Sequence, residues 1–359
     1  MKIMICAGGT GGHVYPALAV AKVLMHRGHE VVWMGTPDSF EARVVPQHGI
    51  VMELVRVKGL RGKGVIKLLT APLTLARAML DAIKVLRRVR PNMVLGMGGF
   101  AAGPGGLAAW LSGRPLVIHE QNAAPGLTNR LLARIASKVL QAFPDTFEKL
   151  GFKDAITVGN PVRTGFVELA SPAARLTAHD VVPRLLVLGG SQGARALNEL
   201  VPAALALLPE GPRPQVRHQA GRTLDIAKAA YAKAGVDGDV TAFIDDMPAA
   251  YDWADLVICR SGASTIAELA AAGSAALLVP FPHAVDDHQT RNGEYLVHAG
   301  AAQMIAEAEL CPLHLAETLR ALLGDRARLV EMATAARTAA WGAADERIAD
   351  LCLEAGGAK

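Results

Sequence analysis

Short apolar runs alternate with longer amphipathic runs along almost the whole chain. The short runs are typical of buried β-strands, and the longer runs carry apolar residues at helical spacing. In the first half the predicted strands are Ile3–Cys6, Val31–Met34, Met93–Leu95, Leu116–His119, Val139–Gln141 and Ile156–Val158. In the second half they are Leu185–Leu188, Val216–Gln219, Val240–Phe243, Leu256–Cys259 and Ala276–Val279. This alternation predicts an α/β fold of parallel sheets covered by helices on both faces.

Two domains are expected, because 359 residues exceed the usual size of a single core. Strand signal gives way to turn chemistry at Gly159–Pro161, so the boundary is predicted there. Residues 1–160 then form one Rossmann-like domain and residues 161–340 a second. The helical tail, about residues 341–359, is expected to pack back on the first domain.

Two glycine-rich turns of the same kind lie about half a chain apart. They are Gly8–His13 (GGTGGH) and Gly189–Ala194 (GGSQGA), and each follows a predicted strand and precedes a predicted helix. Glycines let the backbone approach a phosphate, and the first helical N–H groups point at it. The pair predicts two nucleotide-fold halves that face each other with a phosphorylated ligand between them.

Polar and glycine-rich segments follow most of the predicted strands. Because ligands bind at the carboxyl ends of parallel strands, these segments are expected to line the site. They are rich in hydroxyls, amides and glycines, which suits a polyhydroxylated, phosphorylated substrate. The segments are Thr10–His13, Gly96–Phe100, His119–Asn122, Gly189–Gly193, Arg260–Ala263 and Pro280–Gln289.

Charge is distributed unevenly, although the net charge is only +4. The segment Val55–Arg90 holds ten Lys or Arg and one acid, and its apolar residues run at helical spacing. A basic amphipathic element favours docking on an anionic membrane, while a solvated helix with its apolar stripe in the core is the alternative. Nucleic acid is a weaker interpretation, because the segment has no aromatic residues for base stacking.

Several other classes of protein are disfavoured. Pro91–Gly113 is uncharged, but its seven glycines and two prolines argue against a membrane span. No signal peptide is expected at the N-terminus. The four cysteines have no metal or disulfide spacing. Gly96-x-Gly98-x-x-Ala101 is a weak dinucleotide match, and Asp237–Asp239 (DGD) is interpreted as a tight turn rather than a metal ligand pair. We therefore expect neither a cofactor nor a resident metal.

A set of motifs resembles the MurG-type glycosyltransferases of bacterial cell-wall synthesis over nearly the whole chain. The motifs are GGTGGH, GGFAAGP, HEQNAAPGLTN, GNPVR, GGSQGA, RSGASTIAEL and PFPHAVDDHQTRN, in that order. The resemblance implies the two-domain GT-B architecture and inverting transfer of N-acetylglucosamine from UDP-N-acetylglucosamine to the C4 hydroxyl of the muramyl sugar of lipid I. Lipid II and UDP are the implied products. It also implies a peripheral location at the cytoplasmic face of the inner membrane.

The resemblance also implies residue roles for the UDP-sugar donor. Ser191 is expected to hold the pyrophosphate, with a plain N-cap serine as the alternative. Arg163 is expected to contact the nucleotide, and Ile244 the uracil. Glu268 is expected to accept hydrogen bonds from the ribose diol, although Thr265 and Glu268 also match a capping box. The remaining donor residues are Thr10, Gly11, Gly12, Asn122, Ala263, Ser264, Thr265, Ile266, Ala267 and Gln289, with His288 a rival to Gln289.

His13 is the candidate catalytic base, and Glu268 is grouped with it as catalytic. The acceptor hydroxyl must lose a proton as it attacks, and an imidazole suits that task near neutral pH. The helix N-terminus should keep the ring neutral. The alternatives for His13 are an ordinary polar residue in the first turn of the helix or a donor-contact residue, and His119 and Glu120 are fallback bases. Two other functions stay open, a UDP-sugar C2 epimerase of the same architecture and a non-catalytic membrane-associated protein that binds nucleotide sugars.

Overall fold

The computed structural model describes residues 1–57, 65–179, 182–209 and 213–357, and of residues 65–72 and 285 the backbone only. Its strands are β1 (Lys2–Cys6), β2 (Glu30–Gly35), β3 (Val51–Leu54), β4 (Met93–Gly96), β5 (Leu116–Glu120), β6 (Lys138–Gln141), β7 (Ile156–Thr157), β8 (Arg184–Leu188), β9 (Gln215–Gln219), β10 (Asp239–Thr241), β11 (Leu256–Cys259), β12 (Ala276–Leu278) and β13 (Ala302–Met304).

The helices complete the α/β alternation. They are α1 (Gly11–His26), α2 (Phe40–Val44), α3 (Val65–Val89), α4 (Ala102–Leu111), α5 (Leu127–Leu132), α6 (Thr164–Val167), α7 (Pro172–Thr177), α8 (Arg195–Ala206), α9 (Leu224–Ala234), α10 (Met247–Trp253), α11 (Ala263–Ala272), α12 (His288–His298), α13 (Pro312–Leu323), α14 (Arg326–Thr338) and α15 (Ala344–Ala355).

The chain divides into two compact units. Unit 1 is Met1–Val162 with Ala343–Lys359, and unit 2 is Arg163–Gly342. Each unit is built on one sheet whose described strands are all parallel. The strand order is β3-β2-β1-β4-β5-β6-β7 in unit 1 and β10-β9-β8-β11-β12-β13 in unit 2. The predicted fold class, two Rossmann-like α/β domains, is confirmed.

Both sheets reverse their strand order at the same relative place. In unit 1 the switch lies between β1 and β4, where Cys6 pairs with Gly96. In unit 2 it lies between β8 and β11, where Leu188 pairs with Cys259. Ligands of open parallel sheets bind outside the strand ends at such a switch, so the fold marks one binding edge in each unit.

The final helix, α15, belongs to the core of unit 1. It packs against α1 and buries Ile348 and Cys352 in the cluster that surrounds β1. An ion pair joins Arg27 to Asp350 at 2.5 Å, and Lys138 to Glu354 at 2.8 Å. Exposed pairs of this kind contribute little, so the buried apolar face of the helix provides most of its anchoring.

The basic segment predicted at residues 55–90 is partly described. Lys58, Arg61 and Lys63 lie outside the described residues. In the described part of α3, Ala82 and Leu86 face the core of unit 1, whereas Leu73 and Leu80 are more than half exposed. Of the described residues, no helix is both long and apolar enough to cross a membrane.

Candidate functional site

The first glycine loop, residues 8–10, packs on the glycine turn that follows β4. A Cβ placed on Gly99 would overlap the backbone of Gly8, with 2.6 Å to its carbonyl carbon. A Cβ on Gly98 would lie 2.6 Å from Cδ2 of His13. Both glycines also have positive φ, 88° at Gly98 and 83° at Gly99. This turn therefore supports the first loop and the His13 ring, which gives its glycines a packing reason that needs no dinucleotide.

His13 is the third residue of α1. Thr10 is the N-cap residue with extended backbone, and its carbonyl accepts hydrogen bonds from the amides of His13 and Val14, both at 3.1 Å. The imidazole thus sits in the first turn of a long helix, half-buried against Gly98. Because the turn after β1 sits at the switch point of unit 1, the ring lies at the binding edge that the topology marks.

The His119–Asn122 segment forms a buried network. His119 Nε2 donates to the Gly159 carbonyl at 3.0 Å, and its Nδ1 faces Gln121 Nε2 at 3.2 Å. Burial lowers the pKa of His119 to about 4, so its ring is neutral. Gln121 Nε2 also donates to the carbonyl of Met97, in the turn that supports His13.

Glu120 is committed in the same way. One carboxylate oxygen accepts from the backbone and side chain of Asn122 at 3.1 Å, and the other accepts from Gly126 N and Asn129 Nδ2. With both oxygens bonded and the side chain 3% exposed, Glu120 shapes the loop that holds Asn122. The fallback-base roles of His119 and Glu120 are therefore disfavoured.

The second glycine loop leads from β8 into α8. The amide of Gly189 donates to the Gln219 carbonyl at 2.9 Å, and Gly193 donates to Gly190 at 3.0 Å. Helix α8 begins at Arg195 with Ala194 as its N-cap, so Ser191 is not an N-cap serine. Ser191 is exposed in the loop itself, where its hydroxyl is available to a ligand.

A buried polar network supports this second loop. Asn198 Nδ2 donates to the Ala220 carbonyl at 3.1 Å and to Thr223 Oγ1 at 2.8 Å. Its Oδ1 faces Nε2 of His218 at 2.9 Å, and His218 Nδ1 faces Tyr231 Oη at 3.1 Å. Burial lowers the pKa of His218 to about 4, so the network is uncharged at neutral pH.

Packing explains why the network matters for the loop. A Cβ on Gly193 would lie 2.7 Å from the Ala220 carbonyl oxygen, and one on Gly221 would lie 2.7 Å from Gly193 Cα. The segment 220–223 therefore packs directly beneath the loop, and Asn198 ties that segment to α8.

Helix α11 carries the ASTIAE motif and starts earlier than a capping box would require. Gly262 is its N-cap, and Ala263 is its first residue. Thr265 is therefore the third helical residue and Glu268 the sixth, which rules out the capping-box alternative. The Glu268 carboxyl is 18% exposed, and Arg163 approaches it at 3.5 Å.

Burial dominates the electrostatics of Glu268. It raises the pKa of the carboxyl to about 7, although the neighbouring Arg163 acts in the opposite direction. Arg163 also lies over the Phe166 ring at 5.6 Å, and Phe166 contacts Tyr251 edge-on at 5.2 Å. Two predicted donor residues, Arg163 and Glu268, thus lie side by side. Because burial disfavours the charged carboxylate, a ligand that donates hydrogen bonds to it would stabilise its ionised form.

The loop after β12 holds Gln289 near Phe281. Gln289 Oε1 accepts from the amide of Phe281 at 2.9 Å, and Asp286 and Asp287 adopt positive φ of 53° and 51°. Arg260 anchors the start of this loop through the carbonyls of Val279 and Pro280, and it also pairs with Glu307. A positive φ at a non-glycine residue costs conformational free energy, and such backbone strain is found most often at ligand-binding and catalytic sites.

The predicted site residues fall into two groups, one in each unit. Those of unit 1 are Thr10, Gly11, Gly12, His13 and Asn122, and those of unit 2 are Arg163, Ser191, Ile244, Ala263, Ser264, Thr265, Ile266, Ala267, Glu268 and Gln289. Ile244 lies in the segment between β10 and α10. Asn198 and Arg260 are positioning residues that sequence reasoning missed as such, since their contacts are made by tertiary packing.

Among the described residues, no three His, Cys, Asp or Glu side chains lie close enough together to hold a metal ion. The Asp237–Asp239 segment leads into β10, whose first residue is Asp239, and a Cβ on Gly238 would lie 2.6 Å from the Tyr231 ring. Packing against Tyr231 thus accounts for the glycine of this segment.

The chain matches two domain models in the order of its two units. Residues 3–141 match the glycosyltransferase family 28 N-terminal domain, and residues 184–348 match the C-terminal domain of that family. The chain belongs to glycosyltransferase family 28. A relative from Marinobacter nauticus, UDP-N-acetylglucosamine–N-acetylmuramyl-(pentapeptide) pyrophosphoryl-undecaprenol N-acetylglucosamine transferase, is 53% identical over 99% of this chain and 97% of its own length.

Solved structures agree with this membership. MurG from Acinetobacter baumannii is 40% identical, covers 98% of this chain and 99% of its own, and superposes with a TM-score of 0.87. The MurG-type resemblance drawn from the motifs is confirmed. A UDP-GlcNAc 2-epimerase from Neisseria meningitidis reaches a TM-score of 0.68 at 14% identity over 99% of this chain and 100% of its own. That likeness concerns the fold alone.

Proposed function

We propose that this family 28 enzyme transfers N-acetylglucosamine from UDP-N-acetylglucosamine to the C4 hydroxyl of the muramyl sugar of lipid I, giving lipid II and UDP. The observation that carries the proposal is the full-length identity of 53% to a transferase of that name. The MurG structure from Acinetobacter baumannii supports it independently.

The donor is held mainly by unit 2. Ser191 and the amides of the second glycine loop bind the pyrophosphate, where a helix N-terminus and glycine backbone favour an anion. Glu268 accepts hydrogen bonds from the ribose diol beside Arg163, Ile244 contacts the uracil, and Gln289 binds sugar hydroxyls. The contacts of Arg163 with Glu268 and the exposure of Ser191 support these roles.

Unit 1 supplies the base and the acceptor side. His13 takes the proton of the C4 hydroxyl as that oxygen bonds to the anomeric carbon, and the bond from carbon to the diphosphate breaks with inversion. Thr10, Gly11, Gly12 and Asn122 complete the sugar side of the site. Charge that grows on departing UDP is stabilised by Ser191 and by the loop amides.

Product analysis with and without acceptor tests the proposal. The enzyme is incubated with UDP-N-acetylglucosamine alone and with a short-chain lipid I analogue, each with and without a chelator. The proposal expects a disaccharide product and UDP only when the acceptor is present. Conversion of the donor sugar without acceptor would favour the epimerase, and donor binding without turnover would favour a non-catalytic protein.

An exposed apolar surface on unit 1 supports the proposal of peripheral attachment to the cytoplasmic face of the inner membrane. We call it the α3–α5 patch and define it by exposed apolar side chains on three neighbouring helices, of which α4 packs against both others. Each side chain is at least 40% exposed, and they are Leu73, Leu75, Leu80, Leu107, Trp110, Leu111, Leu127 and Leu131. Exposed Arg77 and Lys84 on α3, and exposed Arg134 just after α5, favour an anionic surface.

Vesicle sedimentation tests this location. Leu73→Ser with Leu80→Ser should lower binding to anionic vesicles about thirtyfold, since each leucine contributes about 1 kcal/mol when it enters the lipid. Leu313→Ser, at a similarly exposed leucine of unit 2, is the matched control and should bind as the wild type does. Equal binding of all three proteins would refute the attachment surface.

A further inference from the structure

Glu41 is a buried carboxylate beneath the first glycine loop. It lies on α2, is 1% exposed, and takes part in none of the motifs that point to the function. Its Oε2 accepts from the amide of Gly9 at 3.0 Å. Its Oε1 accepts from the amide and hydroxyl of Thr36 at 3.2 and 2.8 Å.

These hydrogen bonds keep Glu41 charged. Burial raises the pKa of the carboxyl, but the bonds from Gly9 and Thr36, with that from its own amide, together bring the pKa below its ordinary value. Glu41 is therefore an anion at neutral pH, fixed to the end of β2 on one side and to the glycine loop on the other.

The glycine loop is held between this carboxylate and a second layer. A Cβ on Gly8 would overlap the carboxylate, with 2.7 Å to Glu41 Cδ. On the other side Gly99 packs against the backbone of Gly8, and the adjacent Gly98 lies against the His13 ring. A displacement of the carboxylate is therefore passed to the loop that leads directly into His13.

The two glycine loops differ in what supports them. The second loop rests on the 220–223 segment and on the uncharged network of Asn198 and His218. Among the described contacts of that loop no carboxylate appears. A fixed negative charge beneath the first loop raises the free energy of an anion bound there, whereas it does not oppose a neutral hydroxyl. The two loops share one sequence pattern, but a carboxylate lies beneath the first loop and an uncharged network beneath the second.

We propose that Glu41 is a positioning residue of the transfer reaction, which holds the first glycine loop so that His13 meets the acceptor hydroxyl. The proposal rests on the proposed function, because it assumes that unit 1 provides the base. Glu41 touches neither donor nor acceptor, and it acts through the Gly9 amide.

Two independent variants test the proposal. Glu41→Gln keeps the size of the side chain but removes the charge and turns one acceptor into a donor. Gly8→Ala keeps Glu41 but pushes the carboxylate away from the loop. Both should lower kcat at least tenfold and leave the Kd for UDP-N-acetylglucosamine, measured by calorimetry, within twofold of the wild type. Val45→Ala, a buried core truncation just beyond α2, is the control and should lower the Tm with little change in kcat.

The outcomes separate the inference from the function beneath it. Full kcat in Glu41→Gln or in Gly8→Ala would overturn the positioning role while transfer itself stands. An equal loss of kcat in Val45→Ala, or a donor Kd that weakens in step with kcat, would show that Glu41 acts only on stability. A wild-type enzyme that makes no disaccharide would instead refute the proposed function. If Glu41→Gln does not fold, Gly8→Ala decides the question.

Discussion

Replacing Glu268 with glutamine should stabilise unit 2 and weaken donor binding, with a characteristic dependence on pH. The carboxyl is 18% exposed, and burial raises its pKa from 4.5 to about 7. Ionisation of this carboxyl therefore costs more free energy in the folded protein than in the unfolded chain. Glutamine has a similar shape and no charge to bury.

The magnitude follows from linkage. At about 1.4 kcal/mol for each pKa unit, a change from 4.5 to about 7 corresponds to about 3 kcal/mol. Because the folded pKa is raised, this contribution to stability is complete below pH 4.5 and is lost as the pH rises through 7. The stability advantage of Glu268→Gln over the wild type should thus grow by about 2.5 kcal/mol between pH 5 and pH 8.

Hydrogen exchange of β11 and α11 amides measures the free energy of unfolding of unit 2 without interference from unit 1. It is carried out without donor at pH 5, 6, 7 and 8, and Glu317→Gln, at an exposed position of α13, is the matched control. The control should follow the wild type at every pH. A Glu268→Gln advantage that stays constant or shrinks towards pH 8 would refute the assignment of a raised pKa to Glu268.

The pH dependence of donor binding is a second test of the role of Glu268. The ribose diol donates to the ionised carboxylate, so the wild-type Kd for UDP-N-acetylglucosamine should fall as the pH rises through 7. In Glu268→Gln the Kd should be about tenfold weaker at pH 8 and show no such dependence. A Kd in the variant equal to that of the wild type at pH 8 would remove Glu268 from the ribose site.

Two further substitutions separate the two glycine loops. Asn198→Ala removes the side-chain amide that ties the 220–223 segment to α8. The donor KM should rise about tenfold, and the protein should lose about 1–3 kcal/mol of stability. An unchanged KM in steady-state kinetics would contradict the role of this network. Gly98→Ala places a methyl 2.6 Å from His13 Cδ2 at a φ of 88°, so kcat should fall at least tenfold with an unchanged donor Kd. Gly113→Ala, at a φ of 64° with no atom within 4 Å, bears only the backbone strain and should keep its kcat.

Much of the fold was predictable because its strands are apolar runs that pair in parallel. Strand β3 was missed, since Val51–Leu54 is an edge strand in which Glu53 interrupts the apolar residues and Val51 and Leu54 are at least half exposed. Strand β13, Ala302–Met304, was missed because Gln303 interrupts its apolar residues and it contains no β-branched residue. Both lie at sheet edges, where tertiary pairing rather than hydrophobic periodicity defines the strand.

The site was predictable where chemistry is local in sequence. The glycine loops and the ASTIAE helix were found from their motifs, but the start of α11 at Ala263 was needed to exclude a capping role for Glu268. The turn at Gly96–Gly99 matched a dinucleotide pattern, and only the contact of Gly98 with His13 gave its packing reason. Glu41 acts on a loop more than thirty residues away, a relation that no local pattern contains.

The linkage formed in the product tests the central claim most directly. Wild-type enzyme is given UDP-N-acetylglucosamine and a short-chain lipid I analogue, and the purified glycan is analysed by NMR. The account predicts N-acetylglucosamine joined through a β bond to O4 of the muramyl sugar, with one UDP released for each disaccharide. An α linkage, a different acceptor oxygen, or UDP released without a disaccharide would contradict it.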